Sequence, residues 1–510
     1  MTVANPGKEN PSAARTLISV GWVYLTFVIE KLATFGTIAV LARILVPEQF
    51  GVIATALLII GFVSTFRDFG IPEALVYLDE DPRATAETAF WLNLIIGFAL
   101  TAILVATAPF ISWIVKGPQE FTDILRVMSL FFVFNALGSV HRALLRKRLM
   151  FLRRSTVDVV AAFAKAAITI ILAYLGYGVW SLVIGFVAGS AVRSIGLWIA
   201  LPWLPRLNLV RKQGAALLRY GKHILFVGVM GNFTDRIDQV VVLLFFGKLP
   251  LAYYYIAARI PEILIVQIGR VLTNVLFPTY ALMKSSKEAV AFYVVETTRY
   301  MSYALFPIAI GISLTSNELI AVAFGTKWAP AAPFLTALSL CTLFDGILWA
   351  TGDGFKAIGR PDVLTRMATI QSILAPPVIV TGVALFEDPI AAPYSLLATI
   401  LIVVIFQAIA TKQVLGIAYS TLLKVISPAA LSSLAMVPSV MIANRWLTDL
   451  DLPNPAILAL EVIVGALTYL SILSLIDGRK ILRDIASLVR GKRESQSSAT
   501  LLPKVTPEIL

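Results

Sequence analysis

Charge is scarce in this chain. Lys, Arg, Asp and Glu make up 14% of its 510 residues, against about a quarter in a soluble globular domain. That shortage excludes an ordinary water-soluble fold. Cysteine occurs once, as Cys341 within an apolar run, so no disulfide can form inside the chain and no cysteine-built metal site is expected. The two histidines, His141 and His223, sit beside basic stretches at the expected ends of helices and are too few for a histidine metal cluster. No metal and no cofactor are expected. Long polar stretches are also missing between the apolar runs, so the connectors have no room for a soluble domain.

What fills the chain instead is hydrophobic sequence, at 58% of residues and a mean hydropathy of +0.85. Apolar runs of roughly twenty residues, the length that spans a bilayer as a helix, alternate with short connectors from end to end. The pattern predicts an all-α polytopic membrane protein with about fourteen transmembrane helices, from Leu17–Leu41 to Ile457–Leu475. The polar start, Met1 to Arg15, is too long and polar to resemble a cleaved signal peptide. The tail after Asp477 reads as a short basic surface helix followed by a polar end.

The formal net charge of +12 would suggest nucleic acid in a soluble protein. Here the positive charge gathers in alternate connectors, which marks the cytoplasmic side; no nucleic acid is expected. One such connector carries Arg142, Arg146, Lys147, Arg148, Arg153 and Arg154, and another Arg206, Arg211, Lys212, Arg219 and Lys222. The opposite face has little beyond Arg43, Lys116, Lys248, Lys327 and Arg445. This alternation predicts a bacterial inner-membrane protein with both termini in the cytoplasm. The acidic LDEDP stretch at Leu78–Pro82 lies in a cytoplasmic connector beside Arg83 and reads as a solvated loop.

Charges inside the apolar runs carry the functional information, because a charge at mid-membrane costs several kcal/mol unless it is paired or faces water. Span one has Glu30 and Lys31. Span five has Asp158 and Lys165. Span seven contains Asp235, Arg236 and Asp238, and span eight Arg259, Glu262, Gln267, Arg270 and Asn274. Arg259, Glu262 and Arg270 follow helical spacing and form one polar stripe. Two readings stand side by side. The charges are ion pairs locking span seven to span eight. Or Lys31, Lys165, Arg236, Arg259 and Arg270 line a cationic cavity suited to a pyrophosphate or an acidic sugar. In the second reading Asp235, Asp238, Glu30 and Glu262 either couple a cation or orient the cationic groups. Trp22, Tyr24 and Tyr253–Tyr255 near these spans are either sugar-stacking faces or an interfacial aromatic belt.

Two helix–turn–helix stretches about two hundred residues apart, Ala42–Ile59 and Leu244–Ile263, share an apolar helix, a turn containing proline, a small residue (Gly51, Ala252) and a second apolar helix. Six spans separate them, which predicts two halves of parallel topology.

The first of these stretches leads into a recognisable motif. Arg43, Leu45, Pro47, Phe50 and Gly51, followed by Asp68, Gly70, Ile71, Ala74, Leu75 and Val76, resemble the amino-terminal signature of the Wzx-type polysaccharide transporter family, the oligosaccharide flippases. DRIDQVVVLLFFGKLPLAYYYIAARI (Asp235–Ile260) resembles the start of that family's second half, and AIGRPDVL (Ala357–Leu364) its short loop after the tenth span. The resemblance implies two six-helix lobes in a V around a central cavity plus two extra helices, as in the lipid II flippase and the multidrug-extrusion exporters. It divides the chain into a cytoplasmic segment (1–16), an N-lobe (17–205), a C-lobe (206–414), two extra helices (415–476) and a basic tail (477–510). Spans one, two, seven and eight would line the cavity, with Asp68, Gly70, Pro47 and Gly51 as gate or hinge positions. The implied function is to flip undecaprenyl-pyrophosphate-linked oligosaccharide repeat units to the periplasmic leaflet by alternating access, for exopolysaccharide, capsule or O-antigen synthesis. No bond is made or broken, so no enzyme activity is expected. The implied partners are the lipid bilayer, a polysaccharide polymerase and its co-polymerase, with the transporter a monomer. A lipid II flippase or a cation-coupled multidrug antiporter would share the fold, but the antiporter needs an acid-rich cavity and here Arg and Lys match or outnumber the acids. A membrane glycosyltransferase or polymerase fits less well, for want of an extracytoplasmic domain.

Overall fold

Proline and glycine punctuate a chain that is otherwise helix. The computed structural model describes the backbone of residues 13–67, 69–77, 81–267, 269, 280, 283, 286–450 and 452–498, and the side chains of these except 13–25, 76, 223–224, 226–227 and 479–498. Arg270, Asn274 and Asp68 therefore lie outside the described residues, as do the side chains of Trp22, Tyr24 and His223.

The helices of the amino-terminal half are α1 (Ala13–Ile44), α2 (Pro47–Ser64), α3 (Ile71–Tyr77), α4 (Pro82–Ile114), α5 (Phe121–Lys147), α6 (Phe151–Tyr174), α7 (Val179–Ala200), α8 (Arg211–Thr234), α9 (Ile237–Phe246) and α10 (Lys248–Ala257). Their ends follow the local chemistry. Pro47 opens α2 in the first turn, where a missing N–H costs nothing. Asp81 caps α4 by accepting a hydrogen bond from the Ala84 amide at 3.3 Å. Gly70 and Gly247 turn the chain at φ of 67° and 84°, backbone angles that suit glycine. Beyond α10 come a short turn (Arg259–Pro261) and a five-residue π-helical stretch (Glu262–Val266).

Among the described residues, eleven helices are long and apolar enough to cross a bilayer, or twelve if the bent pair Lys287–Leu314 and Ser316–Phe324 is one span. The two remaining expected spans coincide with α1 and with α8–α9, which are not in that count. Three expected spans take a different form. Span seven, expected unbroken over Ile224–Phe246, is interrupted between α8 and α9 at Asp235 and Arg236. Span nine, expected as a short run at Tyr300–Leu314, is a helix bent by 78° into Ser316–Phe324. The last span does not stop near Leu475, because one helix runs from Asn454 to Ser498.

The chain forms two compact units. The first comprises Met1–Ile263, Ile320–Cys341 and Leu364–Val403. In it α4 packs on α5, α6 on α7 and on α1, and α2 on α10. Hydrocarbon is as apolar as leucine, so close approach at small residues holds such helices together. A Cβ on Gly51 would lie 2.5 Å from the Lys248 carbonyl oxygen where α2 crosses the start of α10, and one on Gly97 would lie 2.9 Å from the Phe132 carbonyl oxygen of α5. The two helix–turn–helix stretches noted in the sequence thus meet at Gly51. His141, expected at a helix end beside a basic loop, is instead buried within α5. Its ring stacks on Trp198 with centroids 4.4 Å apart, and Nε2 lies 3.0 Å from the Trp203 carbonyl oxygen.

Lys327, Trp328 and Arg43, of which the two cations were assigned by sequence to the face opposite the basic connectors, satisfy helix ends. Lys327 and the Trp328 indole donate to the backbone oxygens of Leu45 and Ala42 at 2.7 and 2.8 Å, and Arg43 donates to the Val322 oxygen at 2.7 Å. The last carbonyls of a helix lack partners inside it and carry partial negative charge.

The second unit comprises Leu264–Leu319, Thr342–Val363 and Val404–Leu510. Its helices Lys287–Leu314, Tyr419–Thr448 and Asn454–Ser498 pack side by side. Tyr469 donates to the Tyr303 carbonyl oxygen at 2.9 Å, and the Tyr303 hydroxyl bonds Asp477.

Candidate functional site: a cationic network in the first unit

The intramembrane charges of the first unit sit on or beside largely apolar helices, so packing sets their positions and distant parts of the chain supply their neighbours. On α1, Lys31 reaches Glu262 at 3.1 Å, and Arg259 holds the other oxygen of the same carboxylate at 2.7 Å. The Arg259 guanidinium also lies over the Tyr255 ring, 4.2 Å from its centroid, a cation–π contact that fixes its plane. Glu262 is the first residue of the π-helical stretch, a local geometry found often at functional positions.

One turn-face away on α1, Glu30 pairs with Arg193 of α7 at 3.3 Å. Arg193 reaches on to Asp158 of α6 at 3.1 Å, and Asp158 also takes Arg142 of α5 at 3.2 Å and Arg154 at 3.7 Å. Asp158 is thus the hub of three arginines. Two of those arginines were assigned by sequence to a cytoplasmic connector; Arg142 lies instead within α5, and α6 begins ahead of its expected start and brings Arg154 into the network.

Lys165 has no carboxylate within ion-pair distance among the described residues. Its stem packs on Gly189 of α7, where a Cβ would come within 2.8 Å, and its ammonium lies 5.5 Å from the centroid of Phe186. It is within electrostatic reach of Glu30, Arg193 and Arg259, so it belongs to the same field.

Arg236 sits at the break between α8 and α9. It pairs with neither Asp235 nor Asp238. Its guanidinium donates to the Asn232 side-chain oxygen at 2.5 Å and lies against Gly61 of α2, while Asn232 donates to the Gly61 carbonyl oxygen at 2.8 Å. Arg236 is in electrostatic reach of Arg259. Asp235 caps the end of α8 and is exposed. Asp238 is buried apart from the others, with Tyr254 donating to it across the α9–α10 hairpin.

Of the positions expected from the sequence, the structure therefore joins Lys31, Glu262 and Arg259 in one ion-paired group. It places Glu30 in a second and Lys165 and Arg236 within reach of these, and sets Asp238 aside. Pro47 and Gly51 lie at the start of α2, and Gly70 just ahead of α3. Sequence reasoning passed over Arg193, a single arginine in an otherwise apolar span. The rule that any intramembrane charge needs a partner or water would have singled it out.

Three carboxylates (Glu30, Asp158, Glu262) stand among six cationic side chains (Lys31, Arg142, Arg154, Lys165, Arg193, Arg259), a formal excess of three positive charges. The central pair, Glu30 and Arg193, keeps 29% and 28% of its side-chain surface open. Open charged surface in hydrocarbon is untenable, so the open side faces water. Arginine forks and a lysine point charge around such a space have the chemistry that suits an anion.

Comparisons with known proteins bear on the family and the fold. A family model described as polysaccharide biosynthesis protein matches residues 40–333. The succinoglycan biosynthesis transport protein ExoT of Rhizobium meliloti (strain 1021) is 28% identical over 366 residues, 70% of this chain and 72% of that protein. The lipopolysaccharide biosynthesis protein WzxC of Escherichia coli (strain K12) is 24% identical over 407 residues, 79% of this chain and 82% of that protein. Among solved structures, the lipid II flippase MurJ in an inward closed conformation superposes with a TM-score of 0.76 at 16% identity, covering 90% of this chain and 99% of that one. An inward-facing multidrug resistance MATE family transporter of the MOP superfamily gives 0.54 at 14% identity, covering 80% and 99%. At these identities the structural likenesses speak for the fold.

Proposed function

Because the chain belongs to the polysaccharide biosynthesis protein family, whose model matches more than half its length, we propose that it flips undecaprenyl-pyrophosphate-linked oligosaccharide repeat units across the bacterial inner membrane. The relatives named for succinoglycan transport and lipopolysaccharide biosynthesis support the substrate class, and the MurJ-like and MATE-like fold supports alternating access.

The observation that carries the reading is the cationic surplus around Lys165. A pyrophosphate needs cations that are already in place and not neutralised one for one. Lys165 supplies an unpaired point charge, Arg259 and Arg193 supply forks whose planes are fixed by Tyr255 and by two carboxylates, and Arg236 adds a fourth charge from the α8–α9 break. The glycan rides in the aqueous space while the polyprenyl chain stays in lipid. Two six-helix lobes, 17–205 and 206–414, rock about this site, the helices of 415–476 being accessory. Binding and release suffice for this cycle. Both termini and the Arg142–Arg154 connector face the cytoplasm, and the transporter acts as a monomer beside a polymerase and co-polymerase.

The test is flipping of a labelled lipid-linked oligosaccharide in reconstituted vesicles. Lys165→Met and Arg259→Ala should abolish flipping at unchanged levels of folded protein, and Lys165→Arg should restore part of it. Wild-type flipping by Lys165→Met, or loss that merely tracks loss of folded protein, overturns the reading.

A further inference from the structure

The second unit contains a polar contact that the anion site does not use. Glu318 lies on the short arm beyond the 78° bend, Asn444 on Tyr419–Thr448 and Glu461 on Asn454–Ser498. The Asn444 amide nitrogen donates to both acids, to Glu318 at 3.2 Å and to Glu461 at 2.5 Å. Glu461 is 0% exposed, and its second oxygen, Oε2, is buried without a hydrogen-bond partner. The crossing is tight because Gly465, one turn along from Glu461, lets Met436 and Val440 approach to 3.2 and 3.3 Å of where a Cβ would stand.

Among the described residues neither acid has a cationic partner. Glu318 is the charged group within electrostatic reach of Glu461. Arg445, next to Asn444, is exposed. The charged residues of the packed helix Lys287–Leu314 lie in its first half, far from the bend, and Asp477 is bonded to Tyr303 four turns from Glu461. Glu461, fully buried, shares one amide with a half-buried second carboxylate, and with no cation among the described residues to offset repulsion or lost hydration its charged form is disfavoured.

We propose that Glu318, Asn444 and Glu461 form a one-proton binding site, with the proton held on Glu461 and the amide shared between a neutral acid and a carboxylate. The bound proton joins the Ser316–Phe324 arm to the last two membrane helices. Its release would put two like charges on one amide and loosen Glu318 from Asn444 and Glu461. The site is separate from the anion site and does not depend on what that site carries.

The experiment is infrared spectroscopy of the full-length protein in lipid nanodiscs at neutral pH, with thermal melting in parallel. The wild type should show the carbonyl stretch of a protonated, water-shielded carboxylic acid. Glu461→Gln should lose it while melting at the wild-type temperature, since the amide is a neutral isostere of the acid. Asn444→Leu should melt lower, because both acids lose their shared donor. An unchanged acid band in Glu461→Gln overturns the proposal. A Glu461→Gln protein that fails to fold overturns it too, because it would mean that an ionised carboxylate is what the crossing requires.

Discussion

Removing Arg193 should strand Glu30. Glu30 and Arg193 stand 3.3 Å apart, with 29% and 28% of their side chains exposed. At an effective dielectric of about 20, two unit charges at that distance attract by about 5 kcal/mol before desolvation. Much of this was spent in taking both groups out of water. Fully exposed pairs net about 0.2–1 kcal/mol, and breaking a fully buried pair costs about 3–5 kcal/mol. A pair seven-tenths buried should fall between, with a coupling of about 1–2 kcal/mol. The single change Arg193→Leu should cost more than that, about 2–3 kcal/mol, because it also removes one of the three cations on Asp158. Glu30→Leu alone should cost less, since Arg193 keeps Asp158. The double variant should then be more stable than the sum of the singles by the coupling energy. Reversible denaturation of the four proteins in mixed detergent micelles measures all terms. Effects that add to within about 0.5 kcal/mol would refute the claim that Glu30 and Arg193 act on each other.

Gly51→Ala should destabilise by about 1–3 kcal/mol, because its Cβ meets backbone of Lys248 and the helices must part; a melt unchanged from wild type contradicts the close α2–α10 crossing. Reporter fusions at Lys147 and at Lys248 should report opposite sides of the membrane; the same signal from both ends the alternating topology.

The apolar runs made most of the helices legible, because their length is dictated by bilayer thickness and needs no tertiary information. The break between α8 and α9 was not legible. The sequence marked Asp235 and Arg236 as charges at mid-span, yet whether a span bends, breaks or buries such a pair is decided by what it meets. Here that is Asn232 and the α2 backbone at Gly61, 171 residues away. Lys31, Arg259 and Glu262 were each visible as intramembrane charges, but their joining spans 231 residues and follows from no local pattern. Arg142 and Arg154 show a different limit. The rule that basic residues mark the cytoplasmic side reads them only as a topological signal and so conceals their pairing with Asp158. Asp158, on the helix that Arg154 opens, draws both inward.

The carboxylates of the anion site have a purpose that the arrangement itself suggests. Cations left bare in a half-buried site would be costly whenever the carrier returns empty. In the proposed cycle Glu262 holds Lys31 and Arg259 in that state, and an arriving pyrophosphate would take over those contacts. The exchange also weakens net binding, which a carrier needs in order to release its load. Glu262→Gln should therefore bind the lipid-linked substrate more tightly and turn over more slowly, with Lys31 and Arg259 no longer shared. The rival reading makes Glu262 the carrier of a driving proton, in which case the amide variant binds substrate normally but loses any response to an imposed proton gradient. Affinity and flux in reconstituted vesicles, with and without that gradient, separate the two. Tighter binding with slower, gradient-independent flux supports the counterion role. Unchanged affinity with loss of a gradient response seen in the wild type refutes it.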